Sequence, residues 1–147
     1  MNNKEVVGIL VVEDDEIVRK LLLDTLSEYG YSVETATNAK DTLEKLNQKS
    51  FNAILTDIKI PDMNGLELLK TVKTTRPDIP VIVMTGYGGM ESAIASIKAG
   101  AYDYIAKPID FDELTIVIER SLEKYKLEVQ TKQLLEKTKL LESLVVR

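Results

Sequence analysis

The stretch "LTDIKIPDMNG", from Leu55 to Gly65, places an acid directly after a short apolar run and ahead of a loop. The apolar run "FNAILT" has the composition of a buried strand. Pro61 and Asn64 mark the loop that follows it. Asp57 therefore stands at the carboxyl end of a predicted strand, either as an ordinary turn former or as a reactive carboxylate.

Four other segments repeat this arrangement of a strand followed by a helix. "VVGILVV" (6–12) and "IPVIVMT" (79–85) are continuous apolar runs, typical of strands buried on both faces. "YSVETAT" alternates as a strand does, and "YDYIA" is a short last strand. Apolar residues at helical spacing follow each strand, and Gly30 and Gly100 are predicted to end two of the helices. The alternation predicts an α/β fold of (βα)5 type, a doubly wound five-stranded parallel sheet with helices on both faces.

Composition limits the chemistry. The 147 residues include no cysteine and no histidine, which excludes thiolate metal sites, cysteine nucleophiles and histidine bases. A net charge of −5 argues against a nucleic-acid-binding surface and suits a hard cation. No apolar stretch is long enough to cross a membrane, and "MNNKE" does not have the pattern of a secretory signal, so a cytoplasmic location is expected.

Charged and hydroxyl side chains mark the predicted strand ends, where open parallel sheets bind their ligands. They are Glu13, Asp14 and Asp15 after the first strand, Asp57 after the third, Thr85 at the end of the fourth and Lys107 after the fifth. Carboxylates held together repel one another unless a cation such as Mg²⁺ lies between them. Together with a lysine and a hydroxyl, such a cation stabilises a phosphoryl group, which a carboxylate can accept as nucleophile.

Four motifs in this order resemble the receiver domain of two-component response regulators: "LVVEDDE", "LTDIKIPDMNG", "VIVMTGYG" and "YIAKPI". The resemblance covers residues 6–125. "TGYGGMESAI" and "GAYDYIAKP" are similar, more narrowly, to receivers of sigma-54-dependent activators. The resemblance implies a flavodoxin-like strand order of 2-1-3-4-5.

The resemblance also assigns the metal site and the acceptor. It implies that Asp57 is the phosphoacceptor and a ligand of Mg²⁺, and that Asp14 is the direct acidic ligand. Lys59 would offer its backbone carbonyl to the metal. Glu13, where the family commonly has aspartate, would act through a bound water because its side chain is one methylene longer.

Further roles concern the phosphoryl group and the response to it. By resemblance, Thr85 would bond one phosphoryl oxygen and reposition on activation, and Lys107 would pair with another. The bond from Lys107 to Pro108 is expected to be cis. Tyr104 matches the aromatic switch of the family, whose ring turns inward when the threonine moves.

Ordinary structural readings stand beside these roles. Asp15 is predicted to be a helix N-cap and not a ligand, and Asp62 and Asn64 to be loop formers. Taken alone, Thr85 is a strand terminus, Lys107 a solvated lysine and Tyr104 a core aromatic. The "GYGG" segment (86–89) is predicted to be a flexible loop, because no Walker lysine follows it.

The function expected is a signalling switch that accepts a phosphoryl group from a partner histidine kinase and controls an effector domain or partner, in transcription by resemblance. Such a domain assists its own phosphorylation and dephosphorylation without being an enzyme. Two alternatives stay open: a Mg²⁺-dependent phosphatase that forms an aspartyl phosphate, and a receiver used only for binding. The sequence contains no ATPase motif, so any ATPase effector lies outside it.

The segment from residue 126 to 147 is predicted to be a helical extension of a receiver domain that spans residues 1–125. No proline or glycine occurs between Asp110 and Arg147. Leucines recur every seven residues, and a second series of two threonines and a valine accompanies them. The two series are Leu127, Leu134, Leu141 and Thr131, Thr138, Val145. This spacing predicts a short coiled-coil linker and a weak homodimer, with a single solvated helix as the alternative.

Overall fold

The computed structural model describes residues 6–86 and 89–145, and it confirms the predicted (βα)5 fold. All five strands are parallel and lie in the order β2-β1-β3-β4-β5. The elements are β1 (Gly8–Val12), α1 (Glu16–Glu28), β2 (Ser32–Ala36), α2 (Ala39–Gln48), β3 (Ala53–Asp57), α3 (Gly65–Thr75), β4 (Val81–Thr85), α4 (Met90–Lys98), β5 (Asp103–Ala106) and α5 (Phe111–Val145).

Two hydrophobic cores cover the two faces of the sheet. Along β1, Leu10 and Val12 face one core, and Ile9 and Val11 face the other, as the two-residue period of a strand requires. Helices α2 and α3 close the first core, and α1 and α5 close the second. Because β1, β3 and β4 are covered on both faces, they are apolar up to the polar residues at the carboxyl ends of β3 and β4, and their sequences contain no alternation.

Helix boundaries follow the sequence signals. The Asp15 side chain accepts hydrogen bonds from the backbone N–H groups of Ile17 and Val18, at 2.9 and 3.0 Å, which confirms it as the N-cap of α1. Gly30 and Gly100 have φ angles of 95° and 109°, in the left-handed region that favours glycine. Both predicted helix ends are thus confirmed.

One detail of the prediction is wrong. The first strand begins at Gly8, not at residue 6, and Val6 is 79% exposed. The helix predicted from the apolar spacing after β4 is confirmed as α4, and its residues Met90 and Ile94 are mainly exposed. Helix α4 packs through the smaller Ala93 and Ser96, which leaves the larger apolar side chains at the surface.

Helix α5 is a single helix of 35 residues, about 52 Å long. Its buried residues end at Ser121, while Leu122 and Tyr125 are partly buried against the domain. Beyond them the seam leucines are largely exposed, Leu134 at 64% and Leu141 at 54%. Within the described part of the chain, no helix is long and apolar enough to cross a membrane.

Gly65, the first residue of α3, lies against the backbone of Ile58. A Cβ at this position would stand 2.2 Å from the Ile58 carbonyl oxygen. We expect Gly65→Ala to lower the free energy of unfolding by about 2 kcal/mol or more, because backbone must move to admit the methyl group. Gly8→Ala is the matched control, since its added Cβ would meet nothing closer than 3.7 Å. Urea denaturation of both variants checks this, and equal stabilities would contradict the close approach.

Candidate functional site at the carboxyl edge of the sheet

Strand register brings the charged strand ends together. Val12 pairs with Thr56, so the next residues, Glu13 and Asp57, leave neighbouring strands side by side. Thr85 pairs with Ala106 at the end of β5, and Lys107 follows immediately. The parallel arrangement therefore gathers at one edge of the sheet side chains that are up to 94 residues apart in sequence.

Lys107 joins the two buried acids. Its Nζ donates to Glu13 Oε1 at 2.6 Å and to Asp57 Oδ2 at 2.5 Å. The peptide bond between Lys107 and Pro108 is cis, as the resemblance implies. The Lys107 side chain is 24% exposed, so it lies at the mouth of the site and is not a freely solvated lysine.

Burial and pairing shift the proton equilibria of this cluster. Glu13 is 1% exposed, and its burial raises the pKa of its carboxyl, while hydrogen bonds from Lys107 and the Asp15 N–H act in the opposite direction. Burial lowers the pKa of Lys107, but its bonds to Asp57 and Glu13 outweigh this and leave the pKa above its ordinary value. Lys107 is therefore a permanent cation at neutral pH.

The second oxygen of Asp57 is held by the backbone. The Lys59 N–H donates to Asp57 Oδ1 at 2.9 Å, while the Lys59 side chain is exposed. A bridge between Lys59 and Asn64 closes the loop after β3, and the Asn64 side chain caps α3 through the Leu66 N–H at 2.8 Å. Asp57 is 7% exposed, so its fixed carboxylate stays in reach of solvent.

The three consecutive acids after β1 have different surroundings. Glu13 is buried beneath the site, Asp15 caps α1, and Asp14 is exposed at the edge. Arg19 fixes this turn, because its Nη1 donates to the backbone carbonyls of Glu13 and Asp14, both at 3.1 Å. Sequence reasoning missed Arg19, since a single arginine on a helix gives no sign of a bond back to the preceding turn.

Thr85 and Tyr104 lie beside the cluster on β4 and β5. Thr85 is 3% exposed, and its carbonyl accepts from the Lys107 N–H at 2.8 Å. Tyr104 is half-buried. The segment between Thr85 and α4 includes Tyr87 and Gly88. The prediction of a flexible loop at 86–89 therefore lies partly outside the described residues.

The donor set fits a magnesium ion in charge and in chemistry. Glu13, Asp14 and Asp57 carry three negative charges against the single charge of Lys107, and every available donor is an oxygen. In the parts of the chain that the structure describes, no three acidic side chains form a metal site by themselves. Magnesium binding here would therefore need backbone and water oxygens as well.

Comparison with known proteins gives the family. The model of the response regulator receiver domain matches residues 9–119, and the chain belongs to this family. The transcriptional regulatory protein ZraR of Klebsiella oxytoca is 42% identical over 118 residues, which are 80% of this chain and 27% of that protein. The DNA-binding transcriptional regulator NtrC of Escherichia coli K12 is 38% identical over 120 residues, 82% of this chain and 26% of that protein.

Solved structures agree with this assignment. A CheY-like receiver domain protein from Methanospirillum hungatei JF-1 superposes with a TM-score of 0.79 at 37% identity, covering 84% of this chain and 99% of that chain. NtrX from Brucella abortus gives 0.83 at 36% identity, covering 88% of this chain and 30% of that chain. The chain thus spans about a quarter of the length of the curated relatives that it matches. These matches confirm the predicted receiver family and its likeness to receivers of large activators.

The ion pair between Lys107 and Glu13 yields a stability test. We expect Lys107→Met to lower the free energy of unfolding by about 2 kcal/mol or more, because it leaves a buried carboxylate without its cation. The double variant Glu13→Gln with Lys107→Met should regain at least half of this loss. Lys45→Met is the control, because Lys45 has similar exposure, 27%, but bonds to the partly exposed Asp41 and to the Thr35 carbonyl, so its removal leaves no buried carboxylate unpaired. We expect a loss of about 1 kcal/mol. Urea denaturation measures all three, and equal losses for Lys107→Met and Lys45→Met would refute the buried pair.

Proposed function

We propose that this receiver domain is a phosphorylation-controlled switch in which Asp57 accepts a phosphoryl group from a partner histidine kinase. The main support is the position of the Asp57 carboxylate. It ends β3 at the edge of the sheet, 7% exposed, with one oxygen bonded to Lys107 and the other to the Lys59 N–H. Such a carboxylate is oriented, paired with a cation and reachable by a donor.

The chemistry assigned to Asp57 is nucleophilic attack on phosphorus. A carboxylate oxygen of Asp57 forms the new P–O bond as the P–N bond of the donor phosphohistidine breaks, and the electron pair returns to the imidazole of the kinase. Lys107 is placed to pair with a phosphoryl oxygen and to offset its charge. Thr85, adjacent on β4, is proposed to bond another oxygen through its hydroxyl.

Asp14, Asp57 and the Lys59 carbonyl are proposed to hold Mg²⁺, with Glu13 acting through water. A bound divalent cation neutralises charge that builds up on the phosphoryl oxygens during transfer. The exposure of Asp14 supports its role as the direct ligand. Glu13 suits an indirect role, because its two oxygens already accept from Lys107 and from the Asp15 N–H.

The alternative of a phosphatase has less support. Enzymes of the haloacid-dehalogenase type carry their nucleophile after the first strand. Here three acids follow β1: Glu13 is bonded to Lys107, Asp15 caps α1, and Asp14 is proposed as a metal ligand. Asp57 after β3 is the better nucleophile. A binding-only receiver is also less well supported, because the acceptor, the acids, the hydroxyl and the lysine are all present.

The output is proposed to pass through the exposed faces of α4, β5 and α5 to an effector. Relatives about three times as long are named as transcriptional regulators, so control of transcription through a further domain or partner is proposed for this chain. Tyr104, half-buried on β5, is proposed as the switch residue that follows Thr85. Residues 126–147 are proposed as the linker that joins two copies.

Phosphorylation is tested by intact mass. Acetyl phosphate with Mg²⁺ should add one phosphoryl group to the wild-type chain, and Asp57→Asn should abolish stable addition, because the amide is a poor nucleophile. Beryllofluoride should bind to the same carboxylate only when Mg²⁺ is present. A label that peptide mapping places on another residue would overturn the assignment.

The roles of the neighbouring acids are separated by metal titration. Asp14→Ala should weaken Mg²⁺ binding by about tenfold or more, as expected for loss of a charged ligand. Asp15→Ala should lower helix stability by about 1 kcal/mol and change the affinity much less, because the Asp15 side chain is occupied as a cap. Calorimetric titration of both variants checks this, and equal losses would mean that the ligand is misassigned.

The tail is tested by its oligomeric state. The full chain should form a weak dimer, because the exposed Leu134 and Leu141 share one helix face, and a chain ending near Lys126 should be a monomer that still accepts phosphate. Leu134→Ser with Leu141→Ser should weaken the dimer. Leu140→Ser is the control, since Leu140 is equally exposed but lies about 100° round the helix from Leu141. Sedimentation at several concentrations measures the association of each variant. A full chain that stays monomeric would exclude dimerisation through the leucine seam.

A further inference from the structure

Asp62 makes a contact that its place in the loop after β3 does not require. Its Oδ1 accepts from the Ala39 N–H at 2.8 Å and its Oδ2 from the Lys40 N–H at 3.0 Å, across 23 and 22 residues of sequence. These are the first two N–H groups of α2. The hydrogen bonds lower the pKa of the Asp62 carboxyl, so it is ionised at neutral pH.

Helix α2 already has an N-cap of its own. The Asn38 side chain accepts from the Asp41 N–H at 2.8 Å, just as Asp15 and Asn64 cap α1 and α3 from the adjacent position in the chain. Among the helices with a side-chain cap in the described residues, α2 alone also has a second capping side chain, the carboxylate of Asp62, from another loop. The Asp62 contact therefore does more than complete a helix end: it joins two loops at the site edge of the sheet.

The contact also closes a ring around the acceptor. Asp57 is bonded to Lys107, and Lys107 to Glu13. The Glu13 N–H in turn donates to the carbonyl of Ala36, at 3.0 Å, three residues before α2 begins. Asp62 then links the start of α2 to the loop that contains Lys59, whose N–H returns to Asp57. Ile58, Ile60 and Met63 of that loop pack against the first core, and among the described residues the side-chain hydrogen bonds from the loop to α2 come from Asp62.

We propose that Asp62 is a positioning residue for the cation site, which holds the 58–64 loop so that Asp57 and the Lys59 backbone keep the geometry that Mg²⁺ requires. This proposal rests on the proposed function, in which the Lys59 carbonyl is a ligand. Magnesium tolerates little distortion of its octahedral shell, so a carbonyl on a loosened loop binds it less well. Asp62 itself lies outside the shell and acts through Lys59.

The experiment compares two variants that each remove a bond at the start of α2. Asp62→Ala frees the loop, whereas Asn38→Ala removes the cap of the helix and leaves the loop in place. Both should lower the midpoint of thermal unfolding. Only Asp62→Ala should raise the Kd for Mg²⁺, by about threefold to tenfold, and only it should shift the amide resonance of Lys59 in the metal-free protein.

Charge and geometry are separated in the same titrations. At about 0.5 M KCl the screening length falls to about 4 Å, so a purely electrostatic effect of Asp62 would largely disappear while a positional effect persists. Asp62→Asn, which keeps one acceptor oxygen, should fall between wild type and Asp62→Ala. It also serves as the test variant if the alanine variant fails to fold.

The possible outcomes distinguish a failure of the positioning role of Asp62 from a failure of the proposed function. If wild type binds Mg²⁺ and Asp62→Ala matches Asn38→Ala in affinity and in the Lys59 resonance, the positioning role is wrong and the metal site stands. If the Kd difference vanishes at high salt, Asp62 acts by charge alone and the positioning role is again wrong. If wild type binds no Mg²⁺, the proposed function itself fails.

Discussion

The ion pair of Lys107 with Glu13 and Asp57 is the interaction on which the edge of this sheet depends. Two carboxylates, 1% and 7% exposed, leave neighbouring strands side by side. Without a cation between them, their repulsion would raise the pKa of Glu13 further or force the strand ends apart. Lys107 comes from the far side of β4 and bonds to both. The same lysine therefore stabilises the fold and supplies the positive charge that a phosphoryl group would meet.

The balance of charge at this edge of the sheet bears on the proposed phosphorylation. One lysine against three acids leaves the site short of positive charge, which favours a divalent cation. A phosphoryl group on Asp57 would bring new negative charge and compete for Lys107, because the lysine cannot keep both carboxylates and also pair with the incoming oxygens. Glu13 would then lose part of its compensation. The proposed phosphorylation would thus act on the ion pair that joins the ends of β1, β3 and β5.

Several large apolar side chains of the domain lie at its surface. Met90 and Ile94 on α4 and the leucines at the end of α5 are exposed, although both helices carry enough apolar residues to bury more. The sheet offers α4 only a narrow contact, through Ala93 and Ser96. Helix α5 extends several turns beyond the domain, so its last leucines do not pack against the sheet. Exposed apolar faces of this kind are typical of surfaces that bind other proteins.

The amino-acid sequence by itself determined the secondary-structure elements, the family and the candidate site residues. Apolar runs, glycine stops and the cap at Asp15 predict the (βα)5 order, and four motifs at strand ends identify the receiver family. These signals are local or recur in fixed spacing, so they can be read along the chain. Asp57, Lys107 and Glu13 were identified in this way, and their roles in phosphoryl transfer stay predictions.

Only the tertiary structure decided which groups bond to one another and which faces stay exposed. The bond of Lys107 to Glu13 and Asp57 spans 94 and 50 residues, and nothing near Lys107 in sequence specifies it. Asp62 looked like a turn residue because its partners, the first N–H groups of α2, are backbone atoms without a sequence signature. The spacing in α4 gave the helix but not its buried face, since burial depends on how closely the sheet approaches it. Strand order and register set these distances, and they arise from packing of the whole chain.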